Sequence, residues 1–194
     1  MIVSENRKEK NVSIRLETPL TDEAIKNLKI GDQILLSGYI YTARDAAHKR
    51  LVDLIKKKES LPFDPNGSVI FYVGPSPAKP GYVIGAAGPT TSYRMDPFVE
   101  DLLDAGMKAM IGKGPRSKEV IELLKKYCAV YFGATGGAAA LLSKSIVEAE
   151  VIAFEDLGTE AVRRLKVKEM PLILINDCYG NDLYLQGQEK WAVK

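Results

Sequence analysis

The chain has a single histidine, His48, and two cysteines, Cys128 and Cys178, which stand far apart in the sequence and in no metal-ligand spacing. Structural zinc and iron–sulfur centres usually take three or four Cys or His ligands. A metal centre held by this chain alone is therefore not expected, and the cysteines read as reduced, buried thiols. Charge of one sign is lacking too: 27 Lys and Arg face 25 Asp and Glu and leave a net +2. That balance argues against a nucleic-acid or anionic-membrane surface, so any anion site must come from local arrangement. No apolar run approaches the roughly 20 residues of a membrane span. The opening MIVSENRKEK has no apolar signal-peptide core, which makes a cytoplasmic location the expectation.

Nucleotide signatures are missing as well. Gly112-Lys113-Gly114 lacks the spacing of a Walker phosphate loop, and Gly133-Ala134-Thr135-Gly136-Gly137 does not match the dinucleotide-binding glycine pattern. The second cluster reads as room for tight packing of the helix after it. One histidine also leaves no Ser-His-Asp or Cys-His constellation to assemble.

With 194 residues, 46% of them apolar and 27% charged, the chain has enough for one sizeable soluble core. Val12 to Leu16 alternates as a half-buried strand, Thr21 offers the cap of a short helix bearing Ile25 and Leu28, and Gln33 to Thr42 reads as a second strand. A strand–loop–helix unit then recurs. After Thr42-Ala43-Arg44, Asp45 is read as the N-cap of a helix with Ala47, Leu51, Leu54 and Ile55 on one stripe. Tyr82 to Ile84 reads as a strand that leads, through the loop Gly85–Arg94, to a helix capped by Asp96 with Pro97 at its first position. Met110-Ile111 precedes a helix starting near Ser117, and Val130 to Phe132 precedes an Ala-Leu helix. Leu172 to Ile175 reads as an apolar strand, with Asn176 to Tyr184 returning as a hairpin. Ser60 to Ser68 reads as a surface loop, and Lys56-Lys57-Lys58 as a solvated helix end. The expectation is one α/β domain over residues 1–194 with a mixed sheet.

Polar residues concentrate at the strand–helix junctions, where free N–H groups and the helix dipole favour anions. Arg44 stands directly before a helix N-terminus, with His48 in the first turn on its side. This segment is either an anion site or a plain basic cluster. Gly85 to Asp96 offers two glycines for close backbone approach, the hydroxyls of Thr90, Thr91 and Ser92, and Arg94 at the helix boundary. That set suits a dianion better than a flexible polar loop does. Lys113, between two glycines, is either a functional cation or a turn residue. Glu155 and Asp156 read as capping or ion-pairing groups.

Five segments in this order resemble the beta subunit of class I iron–sulfur fumarate hydratases and L-tartrate dehydratases: GDQILLSGYIYTARDAAHKRL, FYVGPSPAKPGYVIGAAGPTTSYRMD, MIGKGPRS, YFGATGGAAALL, and AFEDLGTEAVRRL with the following PLILINDCYGNDLY. The likeness runs from about Leu20 to Tyr184, with TARDAAHKR and GPTTSYRM its specific parts. It implies a swivelling β/β/α fold and reversible addition of water to an unsaturated dicarboxylate, fumarate to (S)-malate, with L-tartrate dehydration as the close variant. It also implies an alpha subunit carrying a 4Fe-4S cluster with one open iron position, and a dimer of alpha–beta pairs. The resemblance places substrate contacts on Arg44, Thr90, Arg94 and Lys113. Of these, Thr90, Lys113 and Arg44 carry the chemistry, with Asp45, His48, Thr91 and Ser92 in support. A noncatalytic anion-binding or assembly module of the same fold is the alternative of another class.

Overall fold

The computed structural model describes residues 13–134 and 138–192. Val12 at the head of the first expected strand, MIVSENRKEK, and the centre of the glycine cluster, Thr135 to Gly137, lie outside the described residues.

Strand β1 (Ile14–Glu17) is followed by α1 (Asp22–Lys26), whose first turn is capped by the Thr21 hydroxyl accepting from the Ala24 N–H. Then come β2 (Gln33–Thr42), α2 (Asp45–Lys56), β3 (Val69–Phe71), a 3-10 turn (Ser92–Phe98) running into α3 (Val99–Asp104), and β4 (Ala109–Gly112). The order continues with α4 (Lys118–Tyr127), β5 (Val130–Gly133), α5 (Ala139–Lys144), β6 (Ile146–Ala153), β7 (Val162–Asn176) and α6 (Leu183–Trp191). Among the described residues no helix is long and apolar enough to cross a membrane.

β2, β3, β4 and β5 lie parallel in that order. β7 closes the sheet, running antiparallel to β5 through its last residues and to β2 along most of its length. The ring β2-β3-β4-β5-β7 is a barrel, extended by β1 on β2 and β6 on β7. This is the mixed sheet of the expected β/β/α class. Side chains alternate across it, as the pleat requires. Ile40, Phe71, Ile111, Phe132 and Leu174 fill the interior. Ile70, Met110, Tyr131 and Ile175 face outward against Ala47 and Leu51 of α2, Leu102 of α3, and Val120 and Leu124 of α4. Strands covered on both faces have no exposed side, which is why β3, β4 and β5 are buried along their whole length.

Several expectations are corrected. Tyr82 to Ile84 is loop, with Tyr82 and Val83 exposed, and the strand of that unit is β3. Asp45 is not a cap: Arg44 holds the N-cap position of α2 with no side-chain cap bond, and Asp45 begins the helix. Asp96 likewise does not cap its own helix; its carboxylate accepts from the Ser117 N–H at 2.9 Å, at the start of α4. Ser117 caps α4 as expected, accepting from Val120 N. The expected terminal hairpin is reduced to a single antiparallel bridge between Asn176 and Asp182, after which the chain enters α6, capped by Asp182, whose carboxylate accepts from the N–H groups of Tyr184 and Leu185. Leu172 to Ile175 is only the end of β7, whose charged first half is held by cross-strand pairs of Arg164 with Glu150 and Lys166 with Glu148. The cysteines, distant in sequence, are neighbours in space. The Cys178 thiol is pushed up to about 11, by burial first and by the adjoining Cys128 second.

Candidate active site

Because β2 to β5 are parallel, the segments leaving their carboxyl ends gather on one end of the barrel. Arg44, the loop from Gly74 to Arg94, and Lys113 all leave from that end. Main-chain bonds set their spacing. Ala43 N–H donates to the Phe71 carbonyl and Thr90 N–H to the Tyr72 carbonyl, so both flank the end of β3. Thr91 pairs in parallel with Lys113: Ser92 N–H donates to the Lys113 carbonyl at 2.9 Å, and Lys113 N–H to the Thr90 carbonyl at 3.3 Å. The hydroxyl loop is in effect a short extra strand on β4.

Arg44 is mostly buried and shares a carboxylate with its own helix. Glu160 Oε1 lies 3.3 Å from the guanidinium, while Oε2 accepts from the Ala46 N–H at 3.2 Å. Glu160 therefore occupies the positive end of α2. The turn behind it is clamped by Arg163, which donates to the carbonyls of Gly158, Thr159 and Ala161, and by the buried Thr42 hydroxyl, which donates to the Ala161 carbonyl. Gly74 leaves room for the Arg44 side chain, since a Cβ there would lie 3.0 Å from its guanidinium.

Arg94 is half exposed and donates from Nε to Asp45 Oδ1 at 3.0 Å; its terminal nitrogen lies 2.9 Å from Oδ2, an ion pair by distance. This pair ties the 3-10 turn to the start of α2 and brings Arg94 to the helix N-terminus at which Arg44 is the N-cap residue. Lys113 is exposed and, among the described residues, forms no ion pair.

His48 does not reach the open face. It is fully buried against the rings of Tyr72 and Phe98, and Nδ1 lies 2.9 Å from the Arg44 carbonyl. A carbonyl only accepts, so Nδ1 carries a proton, and burial keeps the ring neutral. Burial drives its pKa down to about 4, with Arg116 adding to the effect and the Arg44 carbonyl opposing it. Thr91 is half-buried in the short pairing, and Ser92 is buried beneath it. Glu155 is exposed, and Asp156 pairs with Arg50 at 2.8 Å.

Reading along the chain missed Glu160, Arg116 and Tyr131. Glu160 and Arg116 sit inside segments that drew attention, yet nothing local showed which charges they would meet. The cavities do not coincide with the cluster. One of about 470 Å³ lies between the Pro75–Ala78 loop and β6, and one of about 560 Å³ lies between Gly114 and α6. Within the cluster Arg94 and Lys113 are exposed, whereas Arg44 and Thr90 are partly buried. Among the described residues no group of three or more His, Cys, Asp or Glu converges on a metal position.

The sequence model of a family described as Fumarase C-terminus matches residues 2–187. A Methanocaldococcus jannaschii protein named "Putative L(+)-tartrate dehydratase subunit beta" is 40% identical over 177 residues, 88% of this chain and 91% of that one. Fumarate hydratase 2 of Leishmania major is 36% identical over 179 residues, covering 90% of this chain but 31% of its own length. The aerobic class I fumarate hydratase of Escherichia coli K12 is 34% identical over 181 residues, 91% of this chain and 33% of its own. The chain thus spans nearly all of the archaeal subunit and about a third of each fumarate hydratase.

Proposed function

The chain belongs to the fumarase C-terminus family, and from that membership we propose that it is the beta subunit of a hydro-lyase converting fumarate and water reversibly to (S)-malate. In this reading residues 1–194 act as one domain in the cytoplasm, paired with an iron–sulfur alpha subunit in a dimer of alpha–beta pairs. The observation that carries it is the gathering of Arg44, Arg94, Thr90 and Lys113 at one barrel end, cross-tied by the Asp45–Arg94 ion pair and the Thr90–Lys113 main-chain pairing.

Removing a proton beside a carboxylate builds negative charge on that carboxylate. Fixed cations at its oxygens lower the barrier, and such prearranged electrostatics is commonly the largest catalytic term. Arg44 and Arg94 suit the two carboxylates of a dicarboxylate, and Lys113 suits the charge that develops. Thr90 is the proposed proton-abstracting group. To take that proton the hydroxyl must first release its own to solvent, leaving an alkoxide that a cation would stabilise; the candidate cation is Lys113, whose main-chain N–H donates to the Thr90 carbonyl. The 4Fe-4S cluster is assigned to the alpha subunit. This chain's donors do not fit one, because His48 is spent on a carbonyl and the cysteines sit at the amino end of β5, away from the site.

A second reading, L-tartrate to oxaloacetate and water, is supported by the 40% identity to an archaeal subunit named for that reaction. One pocket hydrogen bond to the extra substrate hydroxyl separates the two. The test is anaerobic co-expression with the alpha subunit, then assays on fumarate and L-tartrate. Activity confined to a brown complex, with the isolated chain colourless and inert, supports the proposal, and the preferred substrate chooses between the readings. A complex inert on both dicarboxylates would leave a noncatalytic anion-binding module.

A further inference from the structure

Arg116 is the only Lys or Arg that is buried among the described residues, and the reaction outlined above does not use it. Its side chain has no solvent exposure, and its guanidinium lies 5.4 Å from the centre of the Tyr72 ring and 5.2 Å from that of Tyr131. One terminal nitrogen meets Asp96 Oδ1 at 2.9 Å. The contact is an ion pair by distance, although its N–H is not aimed along a good hydrogen bond. Burial works against this charge, but Tyr72 and Asp96 more than offset it, and the guanidinium is held on more firmly than an ordinary arginine.

The two partners sit on different arms of the candidate site. Asp96 belongs to the 3-10 turn that carries Ser92 and Arg94, whereas Arg116 leaves the turn that carries Lys113. The other Asp96 oxygen accepts from Ser117 N, so this carboxylate anchors the second arm twice. A parallel tie runs beside it. The Tyr131 hydroxyl has one proton and gives it to the Gly114 carbonyl at 3.0 Å; the Ser92 hydroxyl, 2.8 Å away, must then donate to Tyr131. Gly112 makes that approach feasible, because a Cβ there would collide with Ser92 Oγ. A buried ion pair adds little net stability over an apolar filling of the same shape. What this one does provide is a fixed relation between two loops.

We propose that Arg116 is a positioning residue of the site: it does not touch substrate, but its pairing with Asp96, together with the Ser92–Tyr131–Gly114 tie, holds Thr90 and Lys113 at their working separation. Its effect on turnover rests on the hydro-lyase reading; the placement of the two loops does not.

The first measurement is amide hydrogen exchange on the isolated chain, comparing Arg116→Met and Tyr131→Phe with the wild type. The Ser92 and Lys113 amides should exchange about tenfold faster in both variants, while the barrel amides of Ile111 and Phe132 keep their protection. In the reconstituted complex, Tyr131→Phe should lower kcat by about 10- to 100-fold with KM little changed, the cost of a small misplacement. Arg116→Lys, which keeps the charge beside Asp96, should recover part of the loss seen in Arg116→Met. If Arg116→Met does not fold, Asp96→Asn decides for the ion pair by the same amides, since its amide oxygen still accepts from Ser117, and Tyr131→Phe, which removes one hydroxyl and leaves the core filled, decides for the parallel tie. Unchanged Ser92 and Lys113 amides, or acceleration shared equally with the barrel, would overturn the positioning role. Selective loosening in a chain whose wild-type complex turns over neither dicarboxylate would support the positioning role and sink the reaction reading instead.

Discussion

Arg94 donates from Nε to Asp45 Oδ1 at 3.0 Å and brings a terminal nitrogen within 2.9 Å of Oδ2 as an ion pair, and so joins a loop after β3 to the first residue of α2. One of the five Arg94 N–H donors is thereby committed to holding the guanidinium in place, with the rest left for an incoming carboxylate. Lysine cannot reproduce a planar fork. Arg94→Lys should therefore cost about 10- to 100-fold in kcat/KM of the reconstituted complex. Asp45→Ala should cost about tenfold through loss of orientation alone. Both variants should melt close to the wild type, since a pair this exposed contributes under about 1 kcal/mol. Thermal melts beside steady-state assays check this, and full activity in Arg94→Lys would remove Arg94 from the site.

Glu160 sits between Arg44 and the N-terminus of α2, so its carboxylate either steadies the guanidinium or competes with substrate for it. Steadying is the expectation, because Arg163 and Thr42 clamp the turn behind Glu160. Glu160→Ala should raise KM for the dicarboxylate about tenfold, with Glu160→Gln in between because its amide oxygen still accepts from Ala46. A lower KM in Glu160→Gln would show competition.

The neutral, buried His48 makes stability depend on pH. Its folded pKa is about 4, below the ordinary 6.5 of the unfolded chain. Between those values the unfolded state binds a proton that the native state refuses, so stability falls as pH drops from about 6.5 towards 4. The full effect is on the order of 3 kcal/mol. His48 is the sole histidine, so His48→Gln should flatten this part of the curve in urea melts across pH 4 to 7, even if the variant is weaker throughout. A slope that survives the substitution assigns it to carboxylates.

Gly112 has no space for a side chain: a Cβ would strike Ser92 Oγ and lie 3.0 Å from a ring carbon of Tyr72. Gly112→Ala should cost about 1–3 kcal/mol by overpacking and depress turnover. Adding Ser92→Ala should return part of the stability without the activity, since it relieves the collision and removes the tie to Tyr131. Urea melts of the three variants test it; additive losses would place the strain elsewhere.

Much of the fold was legible because local chemistry and tertiary demand agree there. The strand composition of Gln33–Thr42, the Thr21 and Ser117 caps, and the apolar stretches of β4 and β5 each carry their own signal. Tyr82 to Ile84 has strand composition but sits exposed in a loop, while β3, three residues after a Pro- and Gly-bearing stretch, gave too short a pattern to read. The first half of β7 was hidden by its charges, which make sense only beside Glu148 and Glu150 of β6. The site residues were picked out by their place at strand–helix junctions and by a family resemblance, not by any local rule.

By itself, then, the sequence determined the strand–loop–helix rhythm, the family, and which polar residues stand at the strand ends. Tertiary structure alone decided that β7 bridges β5 and β2 into a barrel, because strand partners are chosen by shape and register across long separations. It also decided what the aspartates do. An Asp beside a helix start can cap its own helix or serve a neighbour, and Asp45 went to Arg94 while Asp96 went to Arg116 and Ser117. Charges find their partners through space, and the spacing between Arg116 and Asp96 exists only once the two loops leave neighbouring strands of a closed sheet.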